Sequence, residues 1–308
     1  ATWACHESIS HRVDDQNALA RMLIPMLATR HIVTGAGGFD VRPAAGIKFL
    51  TSPRVCFLET PRSPHSTQQR GIFHDKPESI GNRNLRRLHL LSECSLYSQW
   101  AIWLRAGAVA CVTALAEAGC PLPDRVELVD PVAAMRTFAA DPALRATAAV
   151  VGGGTRTALD IQYAYLGAVE RYADHRAMPA WVEQVCARWR KTLDYLQARR
   201  PLVEKRLDWA IKLRCFQAMA DRRGLPWETL PRWAEIFALL DRWGRRSIGR
   251  NPGAGGPCEA GWLSACKATA EGMRRRDRVR RLAAARDLDE EAVDAVLHLH
   301  PFHTVSVA

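Results

Sequence analysis

Between Arg86 and Glu93 the chain reads R-R-L-H-L-L-S-E, which sets two guanidiniums, an imidazole and a carboxylate within eight residues. If the interleaved leucines make this a strand, alternation puts Arg87, His89 and Leu91 on one face and Leu88, Leu90 and Ser92 on the other. A face carrying arginine beside histidine is more polar than a buried sheet tolerates, so it either meets solvent or lines a site. Groups of the same kind stand elsewhere. His6 and Glu7 are adjacent in "CHES", and in a strand they point opposite ways, so at most one of them serves a given site. Arg54 lies in "SPRVCFLE", with Glu59 at its end. Imidazole and carboxylate suit a divalent cation, and guanidinium suits phosphate oxygens; together these are the parts of a metal–phosphate site. Taken singly each has a plainer reading, a hydrogen-bonded structural histidine or a wetted surface arginine.

Such groups need elements to hold them. "DDQNALARMLIPMLATRH" (14–31) has apolar residues at helical spacing, with Asp14 and Asp15 as capping candidates. "TGAGGF" (34–39) lacks both the Lys-Ser/Thr of a P-loop and the G-x-G-x-x-G spacing, so it reads as a turn. "IKFLTSPRVCFLE" (47–59) reads as strand, break, strand; "RGIFHDKPES" (70–79) begins as a strand, and "LRRLHLL" is another. From Gln99 onward the pattern is overwhelmingly helical: one helix ending at Gly119, more over 156–197, and another over 202–223. Strands first and helices after is an α+β order rather than alternating βα units.

Composition sets the outer limits. At 48% apolar and 24% charged residues over 308 positions, the chain is an ordinary globular composition. No apolar run approaches the ~20 residues that span a bilayer, and the start lacks a signal-peptide pattern. The nine cysteines are scattered with no C-x-x-C pair, which points to reduced thiols, a cytoplasmic setting and no structural zinc site. The net charge of +11 suits acidic partners, or is simply a solvated arginine-rich surface.

Several motifs, in one order, resemble a known family. The stretch from "HESISHRVDD" to "TGAGGFDV" resembles the segment following the H-E-N strand of the Pup ligase (PafA) and depupylase (Dop) family, within the glutamine-synthetase-like carboxylate–amine ligase superfamily. "SPRVCFLE" resembles that family's S-Q-R strand, "RGIFHDKP" its R-x-I-x-x-T-R-D-E-P segment, and "RRLHLLSECSLYSQWAIWLRAGAVACV" its R-R-L-H-V-x-x-G-D-A-N run and following helix. "LDWAIKLRCF" (207–216) is similar to its L-D-W-x-x-K-L-R helix, followed by "LPW". The resemblance covers residues 5 to 230. It implies a curved antiparallel sheet holding ATP and Mg²⁺, packed with helices and followed by a mostly helical half.

By the same motif match, His6, Arg54, Arg86 and Arg87 would bind nucleotide phosphate, and His89, His6, Glu59 and Glu93 would hold the metal. The activity implied is ATP-dependent conjugation of a Pup-like modifier to lysines of target proteins, or its reversal by a Dop-like deamidase/depupylase. Partners would be the Pup-like modifier, its protein substrates and the proteasome system that degrades them. Asp208 and Lys212, four apart on one helix face, read as structural support. Residues 1–246 are expected to form a partial catalytic domain, 247–261 a linker, and 262–308 a small C-terminal domain.

The pattern departs from the family in places. The E-x-E strand and the acidic loop that carry the family's catalytic carboxylates are expected upstream of residue 1, so no catalytic residue is assigned and this chain alone is expected to be incomplete or inactive. His74 and Lys76 replace an arginine and a glutamate, and "SECS" replaces G-D-A-N, leaving Glu93 as the candidate stand-in for the aspartate. With few carboxylates, the chain is expected to bind ATP·Mg weakly. A non-catalytic binder of an acidic Pup-like protein is the competing reading. Nucleic-acid binding through "GMRRRDRVRRLAAAR" lacks stacking aromatics.

Overall fold

A computed structural model describes residues 5–40, 48–75, 85–198, 203, 205–221 and 224. The "LPW" segment, Lys76, and the expected linker and C-terminal domain (247–261 and 262–308) lie outside the described residues.

Strand β1 (Glu7–His11) leads into helix α1 (Gln16–Thr29). The start of α1 is fixed by Asp15, whose carboxylate accepts from the Asn17 and Ala18 amides at 2.8 and 3.1 Å. A single turn, α2 (His31–Thr34), ends at Gly35, where an added Cβ would sit 2.3 Å from the Thr51 carbonyl oxygen. The glycine-rich stretch is irregular only over 35–37, where Gly37 adopts φ +67, and its last two residues, Gly38–Phe39 (β2), form a strand paired with Phe49–Leu50 (β3).

Two expectations for the next segment are corrected. Pro53–Phe57 is a 3₁₀ turn between β3 and β4 (Thr60–Ser63), so Arg54 rides on a turn and not on a strand. Proline at its first position presets φ for that turn. Then come β5 (Gly71–His74) and β6 (Arg86–Leu90), forming a four-stranded sheet in the order β1-β6-β5-β4. β1, β6 and β5 are antiparallel, but β4 runs parallel to β5. The sheet is therefore mixed and not purely antiparallel. A parallel pair ordinarily needs a long crossover. These strands are only four residues each, and the seven residues between them reach up to ~23 Å, enough to return to the start.

Helices follow, as the periodicity predicts. α3 (Gln99–Glu117) is capped by Ser98 and closed at Gly119, φ +66. It has the length and apolarity to cross a membrane, in contrast to the sequence expectation, but half of it is buried and it packs on α1 (Gln16–Thr29) and α6 (Trp181–Gln197) as a core helix. α4 (Pro131–Ala139) and α5 (Ala158–His175) start at Asp130 and at a Thr157–Asp160 capping box. Between them sits a hairpin absent from the sequence reading, β7 (Thr147–Ala149) and β8 (Thr155–Thr157). Three turn glycines at positive φ, Gly152 to Gly154, make it possible. α7 (Asp208–Asp221) closes the described chain. One core unites the sheet's inner face with α1 and α3 to α6, around the fully buried Trp189 and Tyr165.

Candidate functional site

The register of β1 on β6 sorts the polar residues onto two faces. Ser8 lies opposite His89 and Ser10 opposite Arg87, so His6, Ser8, Ser10, Arg87 and His89 share the outer face. Glu7, Ile9, His11, Arg86 and Leu88 share the inner one. His6 and Glu7 thus point apart, as their adjacency in a strand demands.

On the outer face, His6 Nδ1 stands 3.1 Å from His89 Nε2, and the rings' centroids are 5.1 Å apart. His74, across from His89 on β5, adds a third imidazole at 5.2 Å between centroids. Arg87 donates to Ser8 Oγ at 3.1 and 2.9 Å through Nε and Nη2. Arg54 reaches in from the 3₁₀ turn, donating from Nε to the Leu91 carbonyl at 3.1 Å, and is itself buried. His6 is held below the ordinary imidazole range by desolvation and then by the Arg54 and Arg87 guanidiniums. Burial is the larger cause of that shift, and the two guanidiniums add to it, so the face sets two cationic groups beside the imidazole pair.

The remaining predicted groups are not brought here. Arg86 faces the other way and pairs with Asp14 at 3.0 Å, because its odd–even position opposes that of Arg87. Glu59 is exposed just before β4, two strand spacings from β6, or about 10 Å. Glu93 is fully buried and turned inward: it accepts from Ser52 Oγ at 2.9 Å and lies in the field of Arg30, Arg105 and Glu7. Among the described residues no group of three or more His, Cys, Asp or Glu side chains is placed to hold a metal ion. The donors at this face are imidazoles beside guanidiniums, whereas Mg²⁺ takes oxygen. The described residues therefore fit phosphate oxygens and do not fit Mg²⁺, and the expected ligand set of His6, His89, Glu59 and Glu93 is not assembled.

Sequence reasoning missed what lies directly behind the face. Glu7 and Arg30 form a bidentate pair at 2.7 and 2.9 Å; Arg30 also donates to Ser92 Oγ at 3.2 Å. Arg105 of α3 approaches Glu7 at 3.7 Å and donates to the Cys94 carbonyl at 2.8 Å and the Cys5 sulfur at 2.9 Å. Only the position of Glu7, inward beside His6 outward, carried a hint. Asp208 and Lys212 do prove to be packing residues. Asp208 accepts from the Tyr97 amide at 2.9 Å at the entry to α3, and Lys212 lies over the Tyr97 ring at 5.2 Å.

An open hollow of about 350 Å³ lies elsewhere, lined by Ala110, Ala114, Glu117, Tyr172, Met178 and Trp181 among others. Its one charged side chain is a carboxylate, so it repels phosphate.

This is an α+β protein with an imidazole–guanidinium face on a small mixed sheet. A family model described as Pup-ligase protein matches residues 1–237, and the chain belongs to that family. The Pup–protein ligase of Acidimicrobium ferrooxidans is 33% identical over 260 residues, covering 79% of this chain and 56% of that one. The Pup deamidase/depupylase of Mycolicibacterium smegmatis is 30% identical over 232 residues, covering 74% and 46%. The chain thus spans about half the length of these curated relatives. In fold it is similar to the Pup ligase PafA solved in complex with ADP, with a TM-score of 0.64 at 23% identity, covering 93% of this chain and 66% of that one. The complex between Pup and PafA gives 0.63 at 22% identity, with coverages of 92% and 60%.

Proposed function

We propose that this chain supplies the nucleotide-phosphate face of an ATP-dependent ligase that joins a Pup-like modifier to lysines of proteins, on a glutamine-synthetase-like sheet. The observation that carries this reading is the meeting of His6, His89, Arg54 and Arg87 on one side of the β1-β6 pair. That a structural neighbour is described in complex with ADP supports the choice of nucleotide. In such a reaction a carboxylate of the modifier attacks the γ-phosphorus of ATP, the bond to the β,γ-bridging oxygen breaks and ADP leaves. The resulting acyl-phosphate is then attacked by the lysine amine, which forms the isopeptide bond and releases phosphate. Negative charge grows on the phosphoryl oxygens during the first step, and fixed donors that already point at them stabilise it without reorganising.

Arg54 is suited to this because its Nε is anchored on Leu91 while the rest of its fork stays beside His6. Arg87 is braced by Ser8 in the same manner. Phosphate charge beside His6 offsets the two guanidiniums, though not the burial that lowers its pKa most, and so favours a protonated imidazole that is a further donor. The imidazoles and guanidiniums of this face do not fit Mg²⁺, so no step is assigned to it.

The depupylase reading has comparable support in the 30% identity to a Pup deamidase/depupylase. The two part on the products. Ligase activity gives ADP and an isopeptide conjugate from a modifier ending in glutamate; depupylase activity releases modifier from a preformed conjugate. Calorimetric titration of the full chain with ADP tests the shared step. The double variant R54Q/R87Q is expected to lose about 100-fold in affinity, as two charge-assisted bonds are lost. Equal affinity in variant and wild type would remove this face from nucleotide binding.

A further inference from the structure

The 3₁₀ turn that carries Arg54 has an unusual start. Ser52 stands at the N-cap position, yet its hydroxyl makes no cap hydrogen bond. Instead it donates 2.9 Å to Glu93 Oε2, with both residues fully buried. Glu93 lies two residues past Leu91, whose carbonyl accepts from Arg54 Nε at 3.1 Å. The Glu93 carbonyl in turn accepts from the Cys5 amide at 2.9 Å, one residue before His6. The three residues leaving β6 therefore give both the arginine turn and the histidine strand their reference point.

Those three residues are themselves held from behind. Arg30, at the end of α1, donates to Ser92 Oγ, and Arg105 of α3 donates to the Cys94 carbonyl, on either side of Glu93. The charged groups in whose field the Glu93 carboxylate lies are Arg30, Arg105, Glu7 and Arg54 itself, and its Oε1 accepts no hydrogen bond among the described residues. A buried carboxylate with an idle oxygen, placed between two arginines that do not pair with it directly, is more than a packing device needs.

We propose that Glu93 is a positioning residue whose buried carboxylate, through Ser52, latches the Arg54 turn over the His6–His89 pair. This rests on the phosphate-binding reading of that face and deepens it: affinity for the nucleotide's phosphates is set from a layer behind the sheet. Removing the latch frees the turn and leaves Arg54 anchored by one bond alone, so its guanidinium is no longer held in place before phosphate arrives.

The test uses the full chain and two readouts. In calorimetric titration with ADP, S52A and R54Q are each expected to weaken binding about tenfold, the equivalent of one charge-assisted bond. The double variant S52A/R54Q is expected to be no weaker than R54Q, since both act through one guanidinium. E93Q keeps an acceptor for Ser52 and is expected to stay within about threefold of wild type, while E93A falls with S52A. In amide hydrogen exchange, S52A is expected to speed exchange over residues 52–58 and leave α5 and α6 unchanged; general loosening would speed both. Wild-type affinity in S52A, or additive losses in the double variant, overturns the latch. If wild type itself does not bind ADP, the phosphate reading fails, and the exchange pattern alone decides whether Ser52 and Glu93 hold the turn.

Discussion

Desolvation first, and then the Arg54 and Arg87 guanidiniums, hold the His6 imidazole below its ordinary pKa, and the guanidinium share gives nucleotide binding a proton signature. A phosphate group placed on Arg54 and Arg87 offsets the guanidinium share of what lowers the His6 pKa and adds negative charge beside the ring, so the complex is expected to take up a proton. Titrating ADP near pH 6.5 in buffers of differing ionisation enthalpy should therefore show proton uptake, lost in H6Q; no buffer dependence would contradict the assignment. Two buried groups predict opposite effects of pH on stability. Glu93 keeps its proton up to about 7 instead of its ordinary 4.5, because burial outweighs Arg30 and Ser52. The folded state then holds more protons than the unfolded one across that window, so this residue's contribution to stability falls as pH rises from 4.5 to 7. His31, buried against Thr51, stays neutral down to about 3 instead of 6.5, so its contribution rises with pH over that range. The two offset each other between about 4.5 and 6.5. In E93Q only the rise remains, so its melting temperature should climb more steeply than that of wild type between pH 4.5 and 6.5. Parallel curves would show that Glu93 does not titrate there.

At the scale of elements, the site depends on how few bonds join the turns to the sheet. Alternation within R-R-L-H-L was enough to place Arg87 with His89, because a strand leaves no other choice. The 3₁₀ turn at Arg54 was not readable, since "SPRVCF" is apolar enough for a strand and only its packing against α4 and the Arg54 bond to the Leu91 carbonyl decide. The inward rotation of Glu93 was hidden for a related reason: it lies beyond the end of β6, where strand periodicity no longer constrains direction. The helices were legible from their periodicity and from two caps, Asp15 and Gly119, which are local signals. One cap comes from far along the chain. Asp208, at the start of α7, accepts from the amides of Tyr97 and Ser98 and so docks α7 at the N-terminal end of α3. D208A should cost about 1–3 kcal/mol, the penalty for leaving buried amides without an acceptor, read as a lower urea midpoint with unchanged slope. A changed slope would mean that α7 detaches separately.

For the whole molecule, family membership was readable because several motifs recur in one order, each carrying its own constraint, and the α+β class held, although the β7–β8 hairpin interrupts the helical half. What the sequence could not display is the layering. The imidazole–guanidinium face is one strand thick, and directly behind it lies a buried knot of Glu7, Arg30, Arg105 and Glu93 from β1, α1, α3 and the β6 exit. Such contacts join residues 23 to 100 positions apart, which no local pattern encodes. The +11 charge then has a local meaning at the outer face and a general one elsewhere. The most direct test of the central claim is a structure of the full chain determined with ADP. The account predicts the β-phosphate within about 3 Å of side-chain nitrogens of Arg54, Arg87 and His6. Phosphates bound elsewhere, with those three side chains still facing solvent or one another, would contradict it.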